Sequence, residues 1–154
     1  ELQKIRKRIG GIYQDYKLLP NKTVYENVAY IMQVEEKDNE EIEIEVPKVL
    51  EIIGLSDKLN NFPRELSGGE QQRLAVARAL VNHPDVILAD EPTGNLDPYN
   101  TYEVISLLEK FNKNGRTVIL LTHNREIVNK LGKRVITMEG GRIIRDEVKG
   151  RFII

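Results

Sequence analysis

Hydrophobic residues occur along this chain in two patterns. Short continuous apolar runs at Val86–Ala89 and Thr117–Leu121 match strands of a parallel sheet that are buried on both faces. Elsewhere apolar residues recur every three or four positions, as at Val104 and Leu108, which indicates amphipathic helices. Together with a β-prone segment at Ile9–Tyr13, this order of strands and helices predicts an α/β fold with a parallel sheet.

Polar residues locate the starts of the helices. Thr23 and Glu26 have the spacing of a capping box and predict a helix over residues 24–32. Ser67 and Glu70 form a second capping box, whose helix is expected to end before the proline at position 84. Asp97-Pro98, an N-cap followed by proline in the first helical position, predicts a third helix that stops at Asn114-Gly115.

The segment between the first two helices is ambiguous. Residues 35–45 are rich in acids, as in a solvated face or loop, and the alternation of Ile42, Ile44 and Val46 would suit a strand. Helical spacing fits better, and Gly54 supplies a stop. We therefore predict a helix with Pro47 in its first turn, carrying its apolar residues at Val46, Val49, Leu50 and Ile53.

These elements divide the chain into two parts. Residues 1–22 and 83–154 are expected to form an α/β core, and residues 23–82 an all-helical subdomain inserted into it. The core is predicted to finish with a short helix that stops at Leu131-Gly132. A hairpin then follows, in which strands at 134–138 and 142–145 flank a turn at Glu139-Gly140-Gly141.

Composition excludes several classes of protein. A chain of 154 residues with 40% hydrophobic and 31% charged residues is typical of a globular domain, not of a disordered segment. The net charge of −1 gives no overall attraction to nucleic acid or anionic lipid. The sequence has no cysteine, so disulfides and thiolate metal sites are excluded, which suits a cytosolic protein.

Polar side chains follow three predicted strands at the points where the strands end. Gln14 follows the first, Asp90 and Glu91 the second, and His123 the third. Ligands of open α/β sheets bind at the carboxyl ends of the strands, so we expect these side chains to converge. An acid pair alone could simply cap the next element, and a lone histidine is more often a core residue. Convergence of three strand ends favours a functional site.

The residue types at these strand ends suit phosphate chemistry. An ionised Asp90 closing a buried strand is costly unless a cation such as Mg²⁺ neutralises it. Glu91, one residue further on, is placed to polarise an attacking water. Ser67-Gly68-Gly69 at a helix start offers outward N–H groups, the positive end of the helix dipole and no obstructing side chain, which predicts a phosphate site.

In combination these motifs resemble the nucleotide-binding domain of ABC (ATP-binding cassette) ATPases, over essentially the whole chain. Five elements carry the match: Gln14 (Q-loop), Leu66–Glu70 (signature motif), Val86–Glu91 (Walker B strand with its catalytic glutamate), Asn95–Asp97 (D-loop) and His123 (switch histidine). The resemblance implies a partial P-loop NTPase (RecA-like) core that uses ATP and Mg²⁺.

The resemblance also implies a role for each matching residue. Asp90 and Gln14 would serve Mg²⁺, Glu91 the attacking water and His123 the γ-phosphate. Two copies would pair head to tail, each ATP lying between the Walker A loop of one copy and the signature motif of the other. The residues that bind the nucleotide would then be Gln14, Asp97, Ser67, Gly68, Gly69 and Glu70.

One part of the family pattern does not occur in these 154 residues. The Walker A loop, G-x-x-x-x-G-K-[ST], has no match, because Gly132-Lys133 is followed by Arg134 and has Ile127 in place of the first glycine. We therefore expect an N-terminally truncated chain that binds ATP poorly and hydrolyses little by itself. Its sheet should carry an exposed apolar edge or gap.

Within the family, the chain is most similar to the ATPase subunit of a cell-division complex. The segments that favour this are Leu18–Thr23, within the matching stretch Leu18–Val28, and the tail around Arg145–Glu147, whereas the matching Ala89–Asp97 segment separates the family members poorly. The similarity implies three things: a second copy as partner, an integral membrane, permease-like partner subunit, and a location at the inner face of the cell membrane. It implies no nucleic-acid partner.

Three other classes of protein share some of these features. ATPases of lipoprotein release or macrolide export share the signature and the Ala89–Asp97 segment, and they stay open as an alternative. DNA-maintenance ABC ATPases are disfavoured, because the interval from Gln14 to Ser67 has no room for a long coiled coil and no sustained heptads. A non-catalytic scaffold is disfavoured because Ser67, Asp90, Glu91 and His123 are all in place.

Overall fold

Three parallel strands lie side by side in the first part of the molecule. The structure is a computed structural model that describes residues 1–153, apart from the side chain of Gln3. The strands are β1 (Ile9–Tyr13), β2 (Val86–Asp90) and β3 (Thr117–Leu121), and β2 lies between the other two. In this register Tyr13 pairs with Asp90, so the strands end at one edge of the sheet. The predicted parallel α/β architecture is confirmed.

The helices of this part follow the predicted order, with one addition. They are α1 (Leu2–Arg6), α2 (Val24–Val34), α3 (Asn39–Ile52), α4 (Gly68–Leu80) and α5 (Pro98–Lys113). Short 3₁₀ turns at Ser56–Lys58 and Pro63–Glu65 connect α3 to α4. Helix α1 corresponds to no predicted element. Both capping boxes are present, and Asp97 caps α5.

Apolar side chains of the helices α2, α3 and α4 pack with those of the sheet in one core. Helix α4 packs closely on β1, because a Cβ added at Gly10 would lie 2.3 Å from the backbone oxygen of Ala79. Burying each large apolar side chain contributes about 1.5–3 kcal/mol before entropy is counted. The fully buried members include Ile12, Met32, Leu50, Leu74, Leu80 and Ile87.

The predicted start of α3 is wrong. The helix begins at Asn39, so Pro47 lies in its interior and not in its first turn. The Asp38 side chain caps the helix by accepting a hydrogen bond from the Glu41 backbone N–H at 2.7 Å, and Lys37 pairs with Glu41 at 2.6 Å. These local contacts, together with burial of Ile42, favour helix through the acidic segment despite the backbone hydrogen bond that proline removes.

The prediction that β2 and β3 are buried on both faces is also wrong for the described residues. One face of the sheet is buried at Ile87 and Ala89, but Leu88, Ile119 and Leu121 on the other face are 38%, 48% and 49% exposed. No described element of this unit covers that second face. This exposed apolar surface lies on a face of the sheet, and the expected exposed edge or gap stays a prediction.

The chain divides into two units, Glu1–Leu121 and a second that begins at Thr122. The second contains α6 (Arg125–Leu131), which ends at the left-handed Gly132, and the antiparallel strands β4 (Val135–Glu139) and β5 (Arg142–Glu147). Both predicted elements are therefore present. The predicted division into an α/β core and a helical insertion stays a prediction. Within residues 1–153, no helix combines the length and apolar character needed to cross a bilayer.

Candidate active site

Gln14 and Asp90 meet at the carboxyl ends of β1 and β2. Both line a cavity of about 430 Å³, which Asn95 also borders. The side chain of Gln14 lies against the turn after β2, where a Cβ added at Gly94 would be 2.9 Å from Gln14 Nε2. The glycine therefore leaves room for the Gln14 side chain beside this turn, and the strand ends of β1 and β2 share one cavity, as the predicted convergence requires.

Glu91 has an unusual backbone conformation. Its φ is +44°, in the left-handed region that costs a non-glycine residue about 1–3 kcal/mol. Its backbone N–H still donates to the carbonyl oxygen of Leu121 at 2.9 Å, so the link to β3 is maintained through the turn. Strained backbone of this kind clusters at active sites, and here it directly follows Asp90.

The start of α4 presents its first residues to solvent. Ser67 and Gly68 are exposed, whereas Gly69 is buried. The Ser67 Oγ donates to Glu70 Oε2 at 2.9 Å and accepts from the Glu70 backbone N–H at 3.3 Å. The exposed helix start with a glycine at its first position is observed, and its role as a phosphate site stays a prediction.

Sequence reasoning missed a residue that contacts this helix start. The Nζ of Lys58 pairs with Glu70 Oε1, and this bond is the main cause that lowers the pKa of Glu70 from 4.5 to about 2. Lys58 belongs to a separate 3₁₀ turn, so neither helical spacing nor a motif indicates the contact. The sequence offers no signal for it beyond a basic residue preceding the signature motif.

A second contact missed from sequence connects the starts of α4 and α5. The Asn100 Oδ1 accepts a hydrogen bond from Arg73 Nη1 at 3.2 Å, and the Asn100 amide nitrogen donates to the Asp97 carboxylate. Asp97 also caps α5 by accepting from the Asn100 backbone N–H at 3.0 Å. These bonds from Asn100 lower the pKa of Asp97. The predicted D-loop acid thus holds the asparagine that packs against Gly69.

His123 follows β3 along the chain but belongs to the second unit. The Asn124 backbone N–H donates to Thr122 Oγ1 at 3.1 Å in the same segment, and Asn124 caps α6. A position for His123 beside a terminal phosphate therefore stays a prediction.

The residues at the end of β2 fit a magnesium ion only in part. Among residues 1–153, no three acidic or histidine side chains are grouped as a complete metal site. The Gln14 amide and the Asp90 carboxylate nevertheless border one cavity, and oxygen ligands of this kind suit Mg²⁺ when water and phosphate oxygens complete the shell. The donor set thus fits a cation that arrives together with a phosphate ligand.

Comparison of the sequence with protein families and curated proteins gives consistent matches. The family model described as ABC transporter matches residues 1–94. The chain is 55% identical over 148 residues to the cell division ATP-binding protein FtsE of Streptococcus pneumoniae, covering 96% of the chain and 64% of that protein. It is 50% identical over 152 residues to FtsE of Bacillus subtilis, covering 99% and 67%.

More distant and structural matches agree with these. The methionine import ATP-binding protein MetN 1 of Listeria innocua is 45% identical over 145 residues, covering 94% of the chain and 43% of that protein. The dimeric post-hydrolysis structure of the ATP-binding cassette MJ0796 bound to ADP and Pi superposes with a TM-score of 0.83 at 36% identity, covering 98% of this chain and 67% of that one. The chain spans about two thirds of the length of the FtsE relatives.

Proposed function

Because the chain belongs to the ABC transporter family of ATP-binding proteins, we propose that the full-length protein binds and hydrolyses ATP. The observation that carries this proposal is the meeting of Gln14 and Asp90 in one cavity at the carboxyl ends of paired strands. A cavity of about 430 Å³ can hold the phosphate end of a nucleotide, and the rest of a bound ATP would extend beyond it.

Each site residue has a distinct part in this proposal. Asp90 and Gln14 hold Mg²⁺, which when bound offsets the negative charge of the phosphates. Glu91 accepts a hydrogen bond from the attacking water and polarises it. His123 donates to the terminal phosphate. The left-handed backbone at Glu91 supports a role for this residue, because strained backbone is retained mainly at functional sites.

Catalysis is proposed to need two copies. Ser67, Gly68 and Gly69 receive the terminal phosphate of the nucleotide held by the other copy, with Glu70 ordering the loop and Asp97 at the same interface. The exposure of Ser67 and Gly68 at a helix start supports this role. So does the match to MJ0796, which is described as a dimer with ADP and Pi.

We further propose that the 154-residue chain alone hydrolyses little ATP. It contains no G-x-x-x-x-G-K-[ST] sequence, so it has neither the glycine-rich cradle nor the lysine that such loops supply to the β- and γ-phosphates. The full-length protein requires a segment with these residues for turnover.

The cellular role proposed is that of FtsE in an FtsEX-type cell-division complex. The protein would lie at the inner face of the cell membrane, held by an integral membrane subunit of the FtsX kind. Identities of 55%, 50% and 52% to FtsE proteins of three organisms support this over the 45% to a methionine importer. ATPases of lipoprotein-release or macrolide-type exporters remain the second candidate, because they share the ADEPTGNLD segment.

The central test uses Glu91→Gln in the full-length protein. With Mg²⁺ and ATP, this variant should form a stable ATP-bound dimer on size exclusion and lose at least about 100-fold in turnover. Glu43→Gln is the matched control, since Glu43 is an exposed carboxylate on α3. An unaltered protein that neither dimerises nor releases phosphate would refute the ATPase proposal.

The membrane partner is tested separately. Co-purification of the full-length protein with an FtsX-like subunit supports the cell-division role. Stable association with an exporter or importer subunit instead would assign the ATPase to that system and leave the ATPase proposal intact.

A further inference from the structure

Lys58 and Glu70 form an ion pair beside the exposed start of α4. Lys58 closes the 3₁₀ turn Ser56–Lys58, and its ammonium contacts Glu70 Oε1. The two side chains are 30% and 17% exposed, so the pair is more shielded from water than most surface pairs. The lysine thus connects a neighbouring segment to the third residue of the signature helix.

The other oxygen of the same carboxylate holds Ser67. Glu70 Oε2 accepts from the Ser67 backbone N–H at 2.8 Å and from the Ser67 hydroxyl at 2.9 Å. Lys58 therefore fixes one oxygen of Glu70 while the other orders the loop. If the lysine were absent, the carboxylate would lose its largest stabilising contact and its position against Ser67.

The carboxylate would be unfavourable at a phosphate site unless its charge were compensated. Negative charges within several ångströms repel, and the effect is larger in a partly shielded site than in bulk water. Glu70 lies at the helix start that is proposed to receive a triphosphate from the second copy. The adjacent ammonium makes the Lys58–Glu70 pair neutral overall.

We infer that Lys58 is a positioning residue for ATP: its ammonium neutralises Glu70 and holds that carboxylate on Ser67, so that Ser67–Gly69 can receive the phosphates of the partner's nucleotide. This inference rests on the proposed ATPase function and goes beyond it by assigning a role to a residue outside the family motifs. Lys58 does not contact the reacting atoms; it acts through Glu70 and Ser67.

The first experiment measures steady-state ATP hydrolysis by the full-length protein. Lys58→Met should raise the KM for ATP about tenfold, equivalent to about 1.4 kcal/mol, and change kcat by less than about threefold. Lys58→Arg keeps the positive charge and should stay near the unaltered protein. Lys48→Met is the matched control, because Lys48 pairs with Glu45 at 2.7 Å on the separate helix α3.

The second experiment removes the uncompensated charge. Glu70→Gln in the Lys58→Met background should bring KM back to within about threefold of the unaltered value, because no carboxylate is left to repel the phosphates. ATP-dependent dimerisation of the same variants in a Glu91→Gln background gives an independent measure. Thermal unfolding of each variant separates loss of binding from loss of fold.

The outcomes separate this inference from the proposed function. No ATPase activity in the unaltered protein overturns both. Activity in the unaltered protein, together with an unchanged KM in Lys58→Met, overturns the positioning role alone. The same conclusion follows if Glu70→Gln fails to bring KM back in the Lys58→Met background. If Lys58→Met does not fold, a rise in KM of about tenfold in Lys58→Arg, which keeps the positive charge, also overturns the positioning role.

Discussion

Gly69→Ala tests how tightly α4 and α5 pack at their first turns. A Cβ added at Gly69 would lie 1.9 Å from Asn100 Oδ1 and 2.2 Å from Asn100 Cγ, far inside van der Waals contact. The asparagine cannot simply rotate away, because Arg73 donates to its oxygen at 3.2 Å and its nitrogen donates to Asp97. Relief of the clash must therefore break contacts that connect the two helices.

The expected loss of stability can be worked out from these contacts. Forcing an extra methyl group into a packed site costs about 1–3 kcal/mol. Weakening the bonds of Asn100 to Arg73 and Asp97 adds about 1 kcal/mol, and the better helix propensity of alanine returns up to about 1 kcal/mol. We therefore expect Gly69→Ala to lower the free energy of unfolding by about 2 kcal/mol.

The neighbouring glycine provides the control. A Cβ at Gly68 would meet only Tyr16 Oη at 3.5 Å, an ordinary contact, so Gly68→Ala should change stability by less than about 0.5 kcal/mol. Urea unfolding of the full-length protein measures both. Asn100→Ala in the Gly69→Ala background should recover part of the loss, giving a coupling of about 1 kcal/mol. Equal effects of the two glycine substitutions, or strict additivity with Asn100→Ala, would refute the reasoning.

Three further predictions concern stability. Leu50→Ala should lower the free energy of unfolding by about 3 kcal/mol by opening a cavity, whereas Ile52→Ala on the exposed side of α3 should lower it far less, as urea unfolding can check. Asn27→Leu should cost about 2 kcal/mol, since the buried Asn27 amide bonds four backbone groups, and an unchanged urea midpoint would contradict this. The folded-state pKa of Glu70 is depressed to about 2, so its stabilisation is complete above about pH 4.5 and is lost as pH falls towards 2. Glu70→Gln should therefore flatten the loss of stability over that interval, measured by unfolding at each pH.

Capping residues in the sequence predicted the starts of the helices well. The capping pair of Thr23 and Glu26 and the Asp97-Pro98 start each mark a helix found in the structure, because these contacts depend on residues close in sequence. Pro47 was misleading, since proline favours a first turn but does not forbid a helix interior when an upstream cap and buried Ile42 support it. The exposure of one face of β2 and β3 could not be predicted from their apolar sequences, since burial of that face depends on which elements pack over the sheet.

The candidate site was predictable only where sequence order determines position. Parallel pairing of Tyr13 with Asp90 brings Gln14 and the acid to one cavity, as expected from consecutive strand ends. The Lys58–Glu70 pair and the packing of Asn100 on Gly69 depend on tertiary contacts between separate elements, which no local pattern encodes. The placement of His123 beside the phosphate stays a prediction for a different reason, because it depends on how the second unit is arranged.

The left-handed backbone at Glu91 has a consequence for directed evolution. Glycine adopts such a conformation without the steric penalty that a glutamate side chain imposes, and asparagine adopts it more readily than most residues. A library of variants selected only for thermal stability should therefore be enriched in these two residues at position 91. Selection for ATP hydrolysis should remove them. Thermal stability and ATP hydrolysis thus favour different residues at position 91.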